Sequence, residues 1–202
     1  DKVSEKLDGQ NLMISWVDGQ LKAARNKGHL KNGGKSALSA KGMASKFAGR
    51  GNIKTAFVGA MNDLEKAIGS LSKAQQEKVF GNGTKWMNLE VIYPQTSNII
   101  DYDVAEIIFH GTLEYDESGR TIGQGKDSAR MLQGMILQVN QNIQKKFNIG
   151  KPNFLKVPKV QNFGKLKSRF IGKLNKLQSR YGLKDSDRLG MYHESFWKEY
   201  VF

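Results

Sequence analysis

The 202 residues have room for one domain with a sizeable core, or one domain carrying a small appendage. There is no cysteine, which excludes disulfides, thiolate zinc sites and a cysteine nucleophile, and no run has the length and apolarity of a membrane span or signal peptide. The formal charge of +13 is unevenly spread, with nine lysines and arginines and no acid from Gln20 to Asn62, and seven and no acid from Gln161 to Lys184. Such blocks attract phosphate, on a nucleotide, RNA or DNA, with an affinity that falls as salt rises. A merely solvated surface is the alternative, and the lopsidedness favours the polyanion. The chain opens on Asp1 rather than Met, five residues before Lys6, so a processed product or a fragment of something longer is expected.

The first segment with chemistry is Ser4 to Asn11, which contains Lys6-Leu7-Asp8-Gly9 and runs straight into Leu12 to Val17, Asp18-Gly19 and Gln20 to Arg25. Asp-Gly between two alternating runs predicts a β-hairpin, because a type I′ turn needs positive φ at both central positions. A lysine in a turn delivered by one segment and followed by two paired strands is held by backbone, which is how a nucleophile is presented. Asn26 to Ser36 reads as a basic, Gly-rich loop too polar to bury, of the kind that closes over phosphates. Ala37 to Phe47, Ile53 to Leu71 and Ser72 to Phe80 read as helices. The second has Ile53, Phe57, Met61, Leu64 and Ile68 for the core, with Asn62-Asp63 and Glu65-Lys66 toward water. The third has Ser72 as its cap and stops at Gly81-Asn82-Gly83.

Lys85 to Pro94 is a strand by composition, and Glu90 is its one acid among apolar neighbours. Burial of that carboxylate demands a partner, so either its face is open or it binds something. Tyr102 to Tyr115 gives a second apolar strand centred on Ala105 to Leu113, with a turn at Glu117 to Arg120; a regular strand puts Phe109 and His110 on opposite faces. Asp127 to Phe147 reads as a long helix with Met131, Leu132, Met135, Ile136, Val139 and Ile143 along one side. Lys151 to Val160 is a short extended segment broken by prolines. Asn162 to Tyr181 is a helix with a lysine-rich outer face, and Asp185 or Ser186 caps a last helix through Leu189, Tyr192, Phe196 and Tyr200.

Glu5-Lys6-x-Asp8-Gly9-x-Asn11 with its hairpin, then Ala24-Arg25-Asn26-Lys27-Gly28, resembles motif I and the next motif of the covalent nucleotidyltransferases. These are the ATP-dependent DNA and RNA ligases and the mRNA capping enzymes, and the RNA ligase 2-like branch is the most similar. The Glu90 strand closed by Tyr93-Pro94 resembles motif III, and the Phe109 strand resembles motif IIIa, so the likeness runs in order from Ser4 to Asp116. The resemblance implies an α+β fold: an antiparallel-sheet nucleotidyltransferase domain, the ATP-grasp-like adenylation domain of ligases, with a C-terminal helical insertion or appendage. On this basis residues 1–160 form the adenylation domain, incomplete, and 161–202 a basic helical subdomain.

It also implies the chemistry. Lys6 takes AMP from ATP with Mg²⁺ as a phosphoramidate and passes it to a nucleic-acid 5′-phosphate, RNA or DNA, for sealing to a 3′-hydroxyl. The amine attacks only when unprotonated. Around it Asp8 and Gly9 complete the motif turn and Glu5 contacts the adenine. Asn11 and Arg25 contact phosphates or ribose, Glu90 accepts the ribose hydroxyls, and Phe109 stacks on the base. The family is common in viruses of bacteria, so the resemblance carries a bacteriophage source and a place in the host cytoplasm or the virion, in keeping with a cysteine-free chain.

The sequence departs from the family pattern after Val160. Lys156-Val157-Pro158-Lys159 stands where motif V has two lysines separated by one residue, but here two residues intervene, and a regular strand sends the two side chains to opposite faces. No Glu-Gly strand of the motif IV kind precedes it, so motifs IV and V either lie beyond Phe202 or are lost. The second reading is therefore a ligase-fold chain without activity, serving as a nucleic-acid-binding or virion-associated protein. His29, His110 and His193 are isolated in sequence and group no metal ligands.

Overall fold

The computed structural model describes residues 3–96, 99–125, 127–139, 146–155 and 163–201. A two-residue strand β1 (Val3–Ser4) precedes β2 (Gln10–Val17), which turns at Asp18-Gly19 into β3 (Gln20–Ala24). Both turn residues have positive φ, 49° and 78°, and Val17 lies opposite Gln20, so the hairpin forms as the Asp-Gly signal predicts. Three helices follow: α1 (Ala40–Lys46), α2 (Gly51–Gly69) and α3 (Lys73–Phe80). Ser39 caps α1, and Ser72 forms a reciprocal capping box with Gln75 on α3. Next come β4 (Lys85–Ile92), β5 (Glu106–Tyr115), β6 (Thr121–Gly125), α4 (Ser128–Val139), β7 (Asn148–Gly150) and β8 (Phe154–Leu155).

The fold is α+β. The main sheet is mostly antiparallel, in the order β3-β2-β4-β5-β6, and β7 pairs parallel with the first half of β5 while β6 takes its second half. One face carries the helices. Leu12, Ile14, Leu21, Met87, Leu89, Val91, Ile107 and Phe109 from the sheet pack with Phe57, Met61, Leu64 and Ile68 of α2, Val79 and Phe80 of α3, and Leu132 and Ile136 of α4. The opposite face holds two small apolar clusters. Ala24, Leu30, Ala37 and Trp86 form one, and Leu7, Ile92 and Ile108 the other.

Three local expectations are corrected. Asp63 does not face water: it is buried on α2, and its Oδ2 accepts the backbone N–H groups of Lys146 and Phe147 at 2.6 and 2.8 Å. Those two residues are therefore not the end of a helix. α4 spans Ser128–Val139, while Ile143 lies outside the described residues. The loop from Asn26 to Ser36 is not a free polar flap either. Asn26 caps a short 3₁₀ turn, Leu30 is buried, and Asn32 N–H donates to the Glu117 carbonyl at 3.1 Å.

The chain divides into Asp1–Leu155 and Lys156–Phe202, close to the boundary expected at 160/161. The second unit is a pair of helices, α5 (Phe163–Tyr181) and α6 (Leu189–Tyr200). Leu177, Leu183 and Ser195 are buried in it, and Gln178 Nε2 donates to both Asp185 and the Tyr192 hydroxyl at 2.6 Å. Neither Asp185 nor Ser186 caps α6, which starts after Arg188 without a side-chain cap, because Asp185 is taken by Gln178. Lys156 to Lys159 lie outside the described residues. No helix among those described is long and apolar enough to cross a membrane.

Candidate active site

The turn that carries Lys6 is fixed on both sides. Ahead of it, β1 pairs with β8, Val3 opposite Leu155, and Glu5 N–H donates to the Asn153 carbonyl at 3.1 Å. Behind it, Leu7 is buried against Ile92 and Ile108, and Asp8 N–H donates to the Tyr102 hydroxyl at 2.9 Å. Asp8 Oδ2 in turn accepts the N–H groups of Ile99 and Ile100, at 2.7 and 3.1 Å. The Lys6 side chain itself is exposed. The backbone is thus held while the amine stays accessible, as nucleophilic presentation requires.

Gly9 joins this turn to the sheet. Its N–H donates to Glu90 Oε1 at 2.7 Å, across 81 positions of sequence. A Cβ on residue 9 would lie 2.7 Å from Glu90 Cγ and 2.8 Å from the Val91 carbonyl oxygen, so only glycine allows this approach. The other Glu90 oxygen, Oε2, lies 3.2 Å from His110 Nε2, and the Glu90 side chain is 16% exposed. The partner demanded by a carboxylate in an apolar strand is therefore the Gly9 amide and the His110 ring.

His110 reaches Glu90 because β5 bulges there. Asn88 pairs with Gly111 and Leu89 with Phe109, which leaves His110 as the extra residue, and Gly111 adopts φ 137°. The bulge also shifts the alternation of β5 by one. Phe109 faces the helices, where it is fully buried, so it does not stack on a base; that expectation is corrected. Six residues on, an even number, Tyr115 faces the other way, packing with Met13 and Trp86.

Tyr115 lines a cavity of about 490 Å³ with Asn11, Met13, Arg25, Lys27 and Arg120. Three cations in one cavity is a phosphate-attracting arrangement. Arg25 Nη1 donates to the Asn11 carbonyl, and its guanidinium lies over the Phe57 ring at 4.8 Å. Burial, and then the charge of Arg50, lower its pKa from the usual arginine value. Burial raises the Tyr115 hydroxyl above its usual range, against an opposing bond to Thr121. The β5–β6 turn over the cavity is locked by Asp116. Backbone and side-chain bonds from Arg120 and Ser118 pull its carboxyl down to about 2.

No protein-family profile, curated protein or solved structure matches this chain. The functional reading therefore stands on the geometry. Of the residues singled out in the sequence, Gly9 meets Glu90 and Asn11 meets Arg25, with Asn11 opposite Glu90 in the β2–β4 register. Lys6 and Asp8 stand on the same turn. Glu5 is turned to Asn153, whose Nδ2 donates to it at 3.3 Å, and Phe109 is in the core. Sequence reading missed His110, Tyr115 and Arg120. The only signal for them was Gly111 inside a strand, a residue that marks bulges.

Proposed function

We propose that this chain is a polynucleotide ligase-like nucleotidyltransferase, with Lys6 as its nucleophile. The observation that carries the reading is the Gly9–Glu90 bond. It draws the Lys-x-Asp-Gly turn against the strand whose glutamate the same chemistry needs for the ribose.

In the reaction the Lys6 Nζ lone pair attacks the α-phosphorus of ATP. A nitrogen–phosphorus bond forms, the bond from that phosphorus to the bridging oxygen breaks, pyrophosphate departs with the electron pair, and the amine gives up a proton. Each Glu90 oxygen retains a second lone pair for a ribose hydroxyl. Asn11, Arg25, Lys27 and Arg120 gather phosphates, and Tyr115 is the ring that the cavity offers a base. Among the described residues no three acidic or histidine side chains converge as a metal cage. Mg²⁺ would therefore enter with the ATP as part of the substrate and would offset the triphosphate charge. AMP then passes to a nucleic-acid 5′-phosphate, with the basic blocks holding the polynucleotide.

One observation favours the non-catalytic reading, a nucleic-acid-binding protein of the same fold: both Glu90 oxygens are already engaged within the protein. Intact-protein mass after incubation with ATP and Mg²⁺, beside K6A, separates the two. A gain of one AMP, absent in K6A and reversed by pyrophosphate, supports the enzyme. A chain that stays unmodified at saturating ATP, both as it stands and when extended past Phe202, removes it and leaves the binding role.

A further inference from the structure

The second unit presents two rows of side chains that share an edge. On α5, Lys165, Arg169, Lys173, Lys176 and Arg180 recur at spacings of four, four, three and four, so they form one stripe down the helix. The stripe is about 22 Å long at the α-helical rise, and α5 contains no acid. On α6, Phe196 packs against Tyr200 with centroids 4.9 Å apart, and His193 meets Trp197 edge-on at 6.5 Å. These rings are not a core: Phe196, Trp197 and Tyr200 are 38%, 45% and 38% exposed. The rows meet where Lys173 Nζ lies 4.8 Å from the Tyr200 ring centroid. Glu199 holds Lys176 and Arg180 at 3.5 and 2.9 Å, yet both cations remain 62% exposed.

We infer that this helical pair is a binding surface for single-stranded nucleic acid, with the α5 stripe on successive phosphates and the α6 rings stacking on bases. A row of cations alone fits any polyanion. The adjoining row of exposed rings is what selects a strand whose bases are unpaired, since a duplex keeps its base faces covered while a single strand offers them to aromatic side chains. The inference shares with the proposed function only the expectation of a polyanion, and does not use Lys6.

The test is fluorescence anisotropy of the full chain with labelled oligothymidylate and oligouridylate of about twelve nucleotides. An abasic deoxyribose-phosphate oligomer of equal length and a blunt duplex serve as controls. The parent is expected to bind the based single strands more tightly than either control. W197A is expected to weaken that binding about tenfold, the size of one lost stack, without changing affinity for the abasic oligomer, and W197F to restore it. The double variant K165A/R169A is expected to weaken all oligomers and lower the salt slope by about 1.4. Circular dichroism of each variant checks that the helices persist.

Equal binding of based and abasic strands, or W197A binding like the parent, overturns the inference. So does a Trp197-dependent emission shift on phosphatidylglycerol–phosphatidylcholine vesicles with none on oligonucleotides, which assigns the surface to a membrane. The same preparation goes through the ATP mass experiment. Intact binding with no AMP gain, in this chain and in one extended past Phe202, removes the ligase reading alone.

Discussion

Gly9→Ala is the substitution that tests the site most directly. The backbone of Gly9 lies outside the left-handed region, so alanine meets no torsional strain there, and the effect comes from contact. The new methyl carbon would sit 2.7 Å from Glu90 Cγ, 2.8 Å from the Val91 carbonyl and 3.1 Å from Ile92 Cγ1, two of them closer than real contacts allow. Moving the turn away loses the Gly9–Glu90 hydrogen bond, a bond to a charged acceptor that contributes about 1.5–3 kcal/mol. Overpacking adds about 1–3 kcal/mol, and the reduced freedom of the unfolded chain offsets about 0.4–1 kcal/mol. Because Glu90 is partly exposed, water recovers some of the lost bond, and a net destabilisation of about 2–4 kcal/mol is expected, or a midpoint lower by about 5–15 °C. Calorimetry measures this, and the ATP mass assay reads the position of Lys6 in parallel. In an E90A background, which removes Cγ and the carboxylate, the same substitution is expected to cost less, because only the Val91 and Ile92 contacts remain. A G9A protein that melts within about 1 °C of the parent, well inside the shift one kcal/mol gives, and that takes up AMP at the parental rate would refute the argument that this contact positions Lys6.

Three further outcomes are expected. Asp63→Ala leaves the buried Phe147 amide and the part-buried Lys146 amide without their acceptor and lowers urea stability by about 2–4 kcal/mol, whereas Asp63→Asn, which retains a carbonyl oxygen, loses less. Burial, and then Lys46, hold the His29 imidazole below the ordinary 6.5, and its Nδ1 accepts the Arg25 amide. The unfolded chain therefore takes the proton first, so the His29 contribution to stability is fully present above about pH 6.5 and is lost as pH falls toward its lower folded value, a component that H29Q removes from a pH series of melts. Asp116 has the same sign at lower pH. Its carboxyl titrates at about 2 against 3.8 unfolded, so the β5–β6 turn is stabilised above 3.8 and loses that stabilisation between 3.8 and 2, which carboxyl NMR titration reports.

The hairpin and the capped helices were legible because their signals are local. Asp18-Gly19 needs no tertiary context to turn, and Ser72 with Gln75 closes a box within one turn of helix. The face assignments on β5 were not legible. Ile107, Ile108 and Phe109 are all buried, because the sheet has apolar clusters on both sides, so hydrophobicity does not alternate there. The bulge at His110 then changes the parity of everything beyond it, which no count of spacings from Phe109 reveals. β6, with glycine at 123 and 125, and the three-residue β7 carry too little apolar pattern to be read as strands. A charged Asp63 reads as facing water, because its partners lie 83 and 84 residues away.

The pairing of β1 with β8 gives the site a history. Residues 3 and 4 lie some 150 positions from their partners at 155 and 154. Loop-closure entropy makes a contact across that length costly, and it is expected to form after the sheet between. Until that contact closes, the lysine turn is held from one side, through Leu7, Asp8 and Gly9. The fastening of β1 by β8 is therefore the contact that completes the support of the lysine turn from both sides.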